Sequence, residues 1–147
     1  MTPCIRCIRA LALCAVWFAL AVVPAAAGPF WTPPPGSAER AAIMDAVRGP
    51  VEQELGQPII FAVKTLRVTN DWVFLHAVPQ RPDGSPVDYA KTSYGEAQQD
   101  GSFDDQVAAL LARDGSGWRV VTYAIGFTDV AWDGWDETYG APAWLWP

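Results

Sequence analysis

The longest apolar stretch in the chain comes first: residues 10–23 carry no polar position but Cys14, and no later run is as long. After it the apolar positions become periodic. Ser37 is placed to cap a helix that begins at Ala38, with Glu39 in the first turn where the helix dipole favours an anion. Ala42, Ile43, Met44 and Val47 then form a narrow apolar face. Gly49-Pro50 is expected to stop this helix, with residues 51–55 as one further turn before Gly56 and Pro58.

From residue 59 to 68 the pattern changes to β-branched and aromatic residues, which predicts a strand. Its parity shifts partway: Phe61 and Val63 share one side, Leu66 and Val68 the other, so a bulge is expected near Lys64-Thr65. Thr69-Asn70-Asp71 reads as a tight turn into a second strand, residues 72–78. Both parities of that strand are apolar, which predicts cover on both faces. Residues 79–102 form a long polar excursion that Tyr89 and Tyr94 are positioned to pin to the body.

Residues 103–113 suit a helix by local propensity. The turn residues Asp114-Gly115-Ser116-Gly117 and the strand pattern that follows decide for a hairpin instead. Thr128 and Asp129 then predict a last helix, ended by Gly140 and Pro142 and weakened by Gly134. The order helix, two strands, excursion, two strands, helix predicts an α+β fold: an N-terminal helix packed on a curved antiparallel sheet of four strands, with a C-terminal helix, and with the helices on one face.

The leading apolar run changes what the rest means. Arg6 and Arg9 precede it, Pro24 breaks it, and Ala25-Ala26-Ala27 supplies the small residues a signal peptidase reads. We read residues 1–27 as a cleavable signal peptide, residues 28–36 as a Pro-rich extended lead-in, and residues 37–147 as one domain. An uncleaved anchor needs roughly 20 apolar residues, more than this run offers. A lipoprotein signal at Leu11-Ala12-Leu13-Cys14 lacks a small residue before the cysteine. The expected location is outside the cytoplasm, periplasmic or secreted, with no membrane association after cleavage.

Cys4, Cys7 and Cys14 all fall in the signal, so the mature 120 residues hold no disulfide, thiol nucleophile or Cys-ligated metal. Eight basic and sixteen acidic residues remain, a net charge of −8, which argues against nucleic-acid binding. No phosphate loop, dinucleotide fingerprint, Gly-x-Ser-x-Gly elbow or EF-hand loop is present, and no cofactor is expected.

Candidate chemistry is sparse. On the expected last helix, Trp132, Trp135 and Tyr139 share a stripe that suits either packing on the sheet or stacking on a sugar. Asp129, Asp133, Asp136 and Glu137 share the adjacent stripe, a solvated acidic face or a weak cation site. His76 is the only histidine and sits on the second strand, where a half-buried, hydrogen-bonded role competes with that of a catalytic base. Trp144 and Trp146 at the C-terminus are candidates for an exposed binding surface.

Arg40-x-x-Ile43-x-x-Ala46-x-Arg48, Phe61-x-Val63-x-x-Leu66-x-Val68, Trp72-x-Phe74, Ala109-Leu110-Leu111 before Gly117-Trp118-Arg119-Val120, and Gly126-x-Thr128-Asp129-Val130-Ala131-Trp132 together resemble a class of short exported bacterial proteins without an assigned activity. In outline the layout is also similar to the cystatin-like and NTF2-like superfold, which hosts enzymes, inhibitors and binding modules alike. The Gln-x-Val-x-Gly signature of cystatins is absent. The Asp–His pair common in NTF2-like enzymes has only His76 to draw on. The expected function is a non-catalytic envelope binding or accessory domain, for an envelope protein or for a small molecule or saccharide. The alternative is a small periplasmic hydrolase or isomerase using His76 with a carboxylate in a sheet-lined pocket.

Overall fold

The computed structural model describes residues 29–115 and 117–147, and the signal sequence expected over residues 1–27 lies outside them. Helix α1 (Ala38–Leu55) leads into strands β1 (Ile60–Val68) and β2 (Trp72–Gln80). A 3-10 turn (Tyr89–Lys91) and helix α2 (Gly95–Asp100) interrupt the excursion before β3 (Val107–Asp114) and β4 (Gly117–Ile125). Helix α3 (Trp135–Tyr139) and a 3-10 turn (Ala143–Leu145) complete the order. The four strands form one antiparallel meander, β1-β2-β3-β4, so the fold is α+β as expected. Among the described residues no helix is long and apolar enough to cross a membrane.

Helix α1 starts where its cap predicts, with the Ser37 hydroxyl accepting from the Arg40 N–H at 3.3 Å. It does not stop at Gly49-Pro50. Pro50 sits inside the helix, which runs on to Leu55 and ends on Gly56 in the left-handed region, φ +66°. An interior proline costs about 3 kcal/mol through a lost hydrogen bond and a ring clash. Ile43, Val47, Val51 and Leu55 recur every fourth residue and are all buried. Burying the last two is worth about 1.5–3 kcal/mol each, enough to carry the helix through the proline.

The sheet follows the sequence pattern closely. The register of β1 against β2 shifts between Val63 and Thr65, where the parity change placed a bulge. Residues 107–114 are a strand paired on both sides, and the hairpin to β4 turns between Asp114 and Gly117. In β2, Val73, Leu75 and Ala77 join α1 in one core, while Phe74 belongs to a second. In β3, Ala109 and Leu111 face the first core, Ala108 and Leu110 the second. Alternate residues point to opposite faces of a strand, so the sheet is covered on both sides.

The C-terminal segment departs from expectation in two ways. It packs on the face opposite α1 instead of beside it: Trp132, Trp135, Ala141 and Leu145 form the second core with Phe74, Ala108 and Leu110. It is also helical only from Trp135 to Tyr139. Gly134 takes a left-handed conformation at φ +74°, which breaks the helix expected from Thr128. The break lets the Trp132 ring meet Phe74 edge-on, at 5.0 Å between centroids. The apolar face of the sheet outweighs helical periodicity here.

Candidate functional site

The tight turn between β1 and β2 is built by Thr69. Its hydroxyl accepts from the Trp72 N–H at 2.8 Å and its own N–H donates to the Trp72 carbonyl at 2.8 Å. Arg113 on β3 fixes the turn from the side. Its Nε donates to the Asn70 carbonyl at 2.6 Å, and its backbone N–H to the Asp71 carbonyl at 2.8 Å. The main chain of the turn is therefore held, while the Asn70 and Asp71 side chains reach solvent with no hydrogen-bond partner among the described residues.

Two further segments converge on this turn. Trp31 bridges to Val68 by paired backbone bonds of 2.9 and 2.8 Å, extending the sheet edge by one residue. Its indole N–H donates to Glu39 at 3.1 Å, and Glu39 in turn accepts from Arg113 at 3.3 Å. From the C-terminus, the 3-10 turn after Pro142 brings up Trp144. Arg67 on β1 donates to the carbonyls of Trp144 and Leu145, both at 3.3 Å, and lies 4.6 Å over the Phe30 ring.

Between these segments lies an open cleft of about 570 Å³, lined by Trp31, Trp72 and Trp144 with Pro29, Pro142 and the turn residues Thr69, Asn70 and Asp71. Trp31 is 41% exposed and Trp144 48%, high for the largest side chain there is. A cleft of this size, mostly apolar with a few polar groups at one end, has the character of a small-ligand site. Its one ionisable side chain is the Asp71 carboxylate.

The residues singled out from sequence scatter around this cleft. Trp144 lies in it. Trp132 and Trp135 are buried in the second core, and Trp146 is half-buried against Phe74 and Trp135. Tyr139 is exposed on α3. The acidic stripe does not form, because Asp129 and Asp133 precede the helix and only Asp136 and Glu137 are on it. Asp129 accepts from the Val130 N–H at 2.8 Å. Among the described residues no three His, Cys, Asp or Glu side chains are grouped to hold a metal.

His76 is half-buried with Phe127 and Trp132 rings beside it, and its Nε2 lies 2.8 Å from the Gln106 amide oxygen. Gln106 spends its amide nitrogen on the Phe127 carbonyl at 2.6 Å, so its oxygen faces the imidazole and Nε2 carries the proton. The residue that orients His76 is thus a neutral amide, where a catalytic dyad would place a carboxylate.

Two carboxylates are engaged by tyrosines elsewhere. Glu54 on α1 accepts from the hydroxyls of Tyr94 and Tyr123, the latter at 2.6 Å. The hydrogen bond to Glu54, together with partial burial, pushes Tyr123 up to about 12, and burial drives Tyr94 up as well. Asp105 accepts from the Tyr89 hydroxyl. Burial raises the Asp105 carboxyl above the usual range, against the lowering by Tyr89 and by the Lys64 ammonium. These contacts fasten the excursion to the helix and sheet, as its tyrosines suggested.

Trp31, Trp72, Asn70 and Asp71 were not marked as site residues by the sequence pattern. The available signal was compositional: seven of the eight tryptophans lie at or after residue 31, and Trp31 and Trp144 among them are exposed. Comparison of the chain with family models, curated proteins and solved structures finds no match in any of the three.

Proposed function

We propose that the chain is an exported, non-catalytic binding domain of the cell envelope that takes its ligand in the cleft between Trp31, Trp72 and Trp144. Export rests on the tripartite character of residues 1–27. One long helix laid across a four-stranded meander also supports the cystatin-like or NTF2-like outline. In this chain the far face of the sheet carries the C-terminal segment.

The observation that carries the reading is the pair of half-exposed tryptophans, Trp31 and Trp144, facing one cleft from opposite ends of the domain. Exposing indole surface is unfavourable in the free protein; the Trp31 ring is held by its indole N–H bond to Glu39, and the Trp144 main chain by the Arg67 bond to its carbonyl. Binding sites enrich in tryptophan held in this way, because a rigid amphipathic ring loses little entropy on contact. The hydrolase reading has no comparable support, since His76 is engaged by Gln106 and packed against rings.

The test is a thermal-shift panel on the chain from residue 28, with neutral glycans, proline-rich peptides and quaternary amines. A ligand at 100 times its Kd adds about 2.7 kcal/mol, which moves the midpoint of a chain this size by roughly 10 °C. The expected result is a shift with one class that Trp144→Ala abolishes. A ligand whose shift survives both Trp144→Ala and Trp31→Ala, or a panel without any shift, overturns the cleft as the binding site.

A further inference from the structure

We propose that the cleft binds a neutral oligosaccharide, with Trp31 and Trp144 stacking on sugar rings while Asn70 and Asp71 bond their hydroxyls. This rests on the binding reading above and names its ligand class.

A pyranose has two kinds of surface. Its C–H faces are apolar and pack flat on an indole, and its rim is a ring of hydroxyls that each donate and accept. The cleft presents both complements. The indoles of Trp31 and Trp144 are open to solvent. Asn70 offers a donor and an acceptor, and Asp71 two acceptor oxygens. Neither side chain is spent on the protein's own bonds, and the turn that carries them is fixed through its main chain by Thr69 and Arg113. Because the main chain of the turn is already held, only the two side chains remain to be ordered when they bond a hydroxyl.

Charge selects the neutral class. Among the described residues no Lys or Arg side chain lines the cleft, Asp71 is its one charged side chain, and the side chains from residue 28 onward carry −8. An acidic sugar or a phosphate would meet like charge at Asp71. A quaternary ammonium is bound when aromatic faces converge to within about 6 Å of it. Among the described residues no ring contact joins any two of the three indoles, so they do not converge as such a cage requires. A proline-rich peptide offers carbonyl acceptors but few donors, so it would leave the Asp71 carboxylate, which only accepts, without a partner.

The experiment is binding to an array of neutral hexose and N-acetylhexosamine oligomers, followed by calorimetric titration with the best glycan. Decaproline and tetramethylammonium serve as comparison probes. The expected result is saturable glycan binding, weakened at least tenfold by Trp144→Ala and by Asp71→Ala. Both positions are exposed, so both variants should fold, and near-UV circular dichroism verifies it. Decaproline or tetramethylammonium binding that depends on Trp144, with no neutral glycan bound, overturns the saccharide assignment and leaves the binding reading intact. No binding by any probe overturns both.

Discussion

At the scale of single residues, Asp105 gives the sharpest expectation. Its carboxyl is raised by burial, so the folded protein holds that proton more tightly than the unfolded chain does. For a carboxylate shifted upward, stability is greatest at low pH and falls as pH rises from the unfolded value of 3.8 through the folded one. Asp83, Asp88 and Asp100 act in the opposite sense: bonds to Ser85, Lys91 and Ser102 lower them, so their contributions are lost as pH falls. An Asp105→Asn variant separates the two. It keeps an acceptor oxygen for Tyr89 and leaves the other three carboxylates untouched, so their pH dependence cancels between variant and parent. The variant should gain stability relative to the parent as pH rises from 3 to 6, and the difference should then level off. Urea unfolding across that range checks it, and a difference independent of pH would show that ionisation of Asp105 carries no cost in the fold.

At the scale of elements, the pattern of residues was enough wherever a strand or cap decided the outcome. The parity change in β1 marked the bulge because a period of two leaves no other way to keep Phe61, Val63, Leu66 and Val68 in contact with α1. The last helix was not legible in the same way. Trp132, Trp135 and Tyr139 have helical spacing, but what places the two tryptophans is the second face of a sheet whose strands lie far back in the chain, and Tyr139 is left exposed. Likewise Pro50 stops a helix only when nothing beyond it is buried, and Val51 and Leu55 are. The excursion between β2 and β3 is tied down by tyrosines, and its attachment can be tested. Tyr94 and Tyr123 both donate to Glu54, and the raised Tyr123 value means that the folded state keeps its proton up to about pH 12. That stabilisation is complete below the ordinary tyrosine value of 10.0 and is lost as pH rises from there toward 12. Replacing both by phenylalanine keeps the rings and removes the donors. The double variant should lose about 1 kcal/mol per hydrogen bond at neutral pH. It should also show a shallower fall in stability between pH 9 and 11. Unchanged stability at pH 7 would mean that the two hydroxyls are equally well satisfied by water.

At the scale of the whole molecule, the cleft depends on contacts that no local pattern reveals. Trp31, Trp72 and Trp144 come from the N-terminal lead-in, the sheet and the C-terminus, and their spacing along the chain carries no period. Two arginines assemble them. Arg113 spans from β3 to the Asn70 turn and to Glu39, which holds the Trp31 indole, while its own guanidinium stacks 4.0 Å from the Trp118 ring. Arg67 joins the two ends of the domain, stacking on Phe30 and donating to the carbonyls of Trp144 and Leu145. In an acidic chain these cations are used to hold the walls and stay off the floor of the cleft. An Arg67→Met variant keeps much of the aliphatic stem that packs on β1 and removes every donor. The bonds it deletes are long and partly solvated, so the cost to the fold should be about 1 kcal/mol, a few degrees in the melting midpoint. The cost to the site should be larger in proportion, because the turn that carries Trp144 is then held by the packing of Ala141, Leu145 and Trp146 without the bonds from Arg67. We expect ligand affinity to drop at least tenfold, with the Trp144→Ala effect largely absorbed when the two substitutions are combined. Arg119→Met on β4, where the guanidinium reaches only the neighbouring Val120 carbonyl among the described residues, should change neither quantity. If Arg67→Met and Trp144→Ala weaken binding independently and additively, the two act on separate contacts, and Arg67 is not what positions that wall.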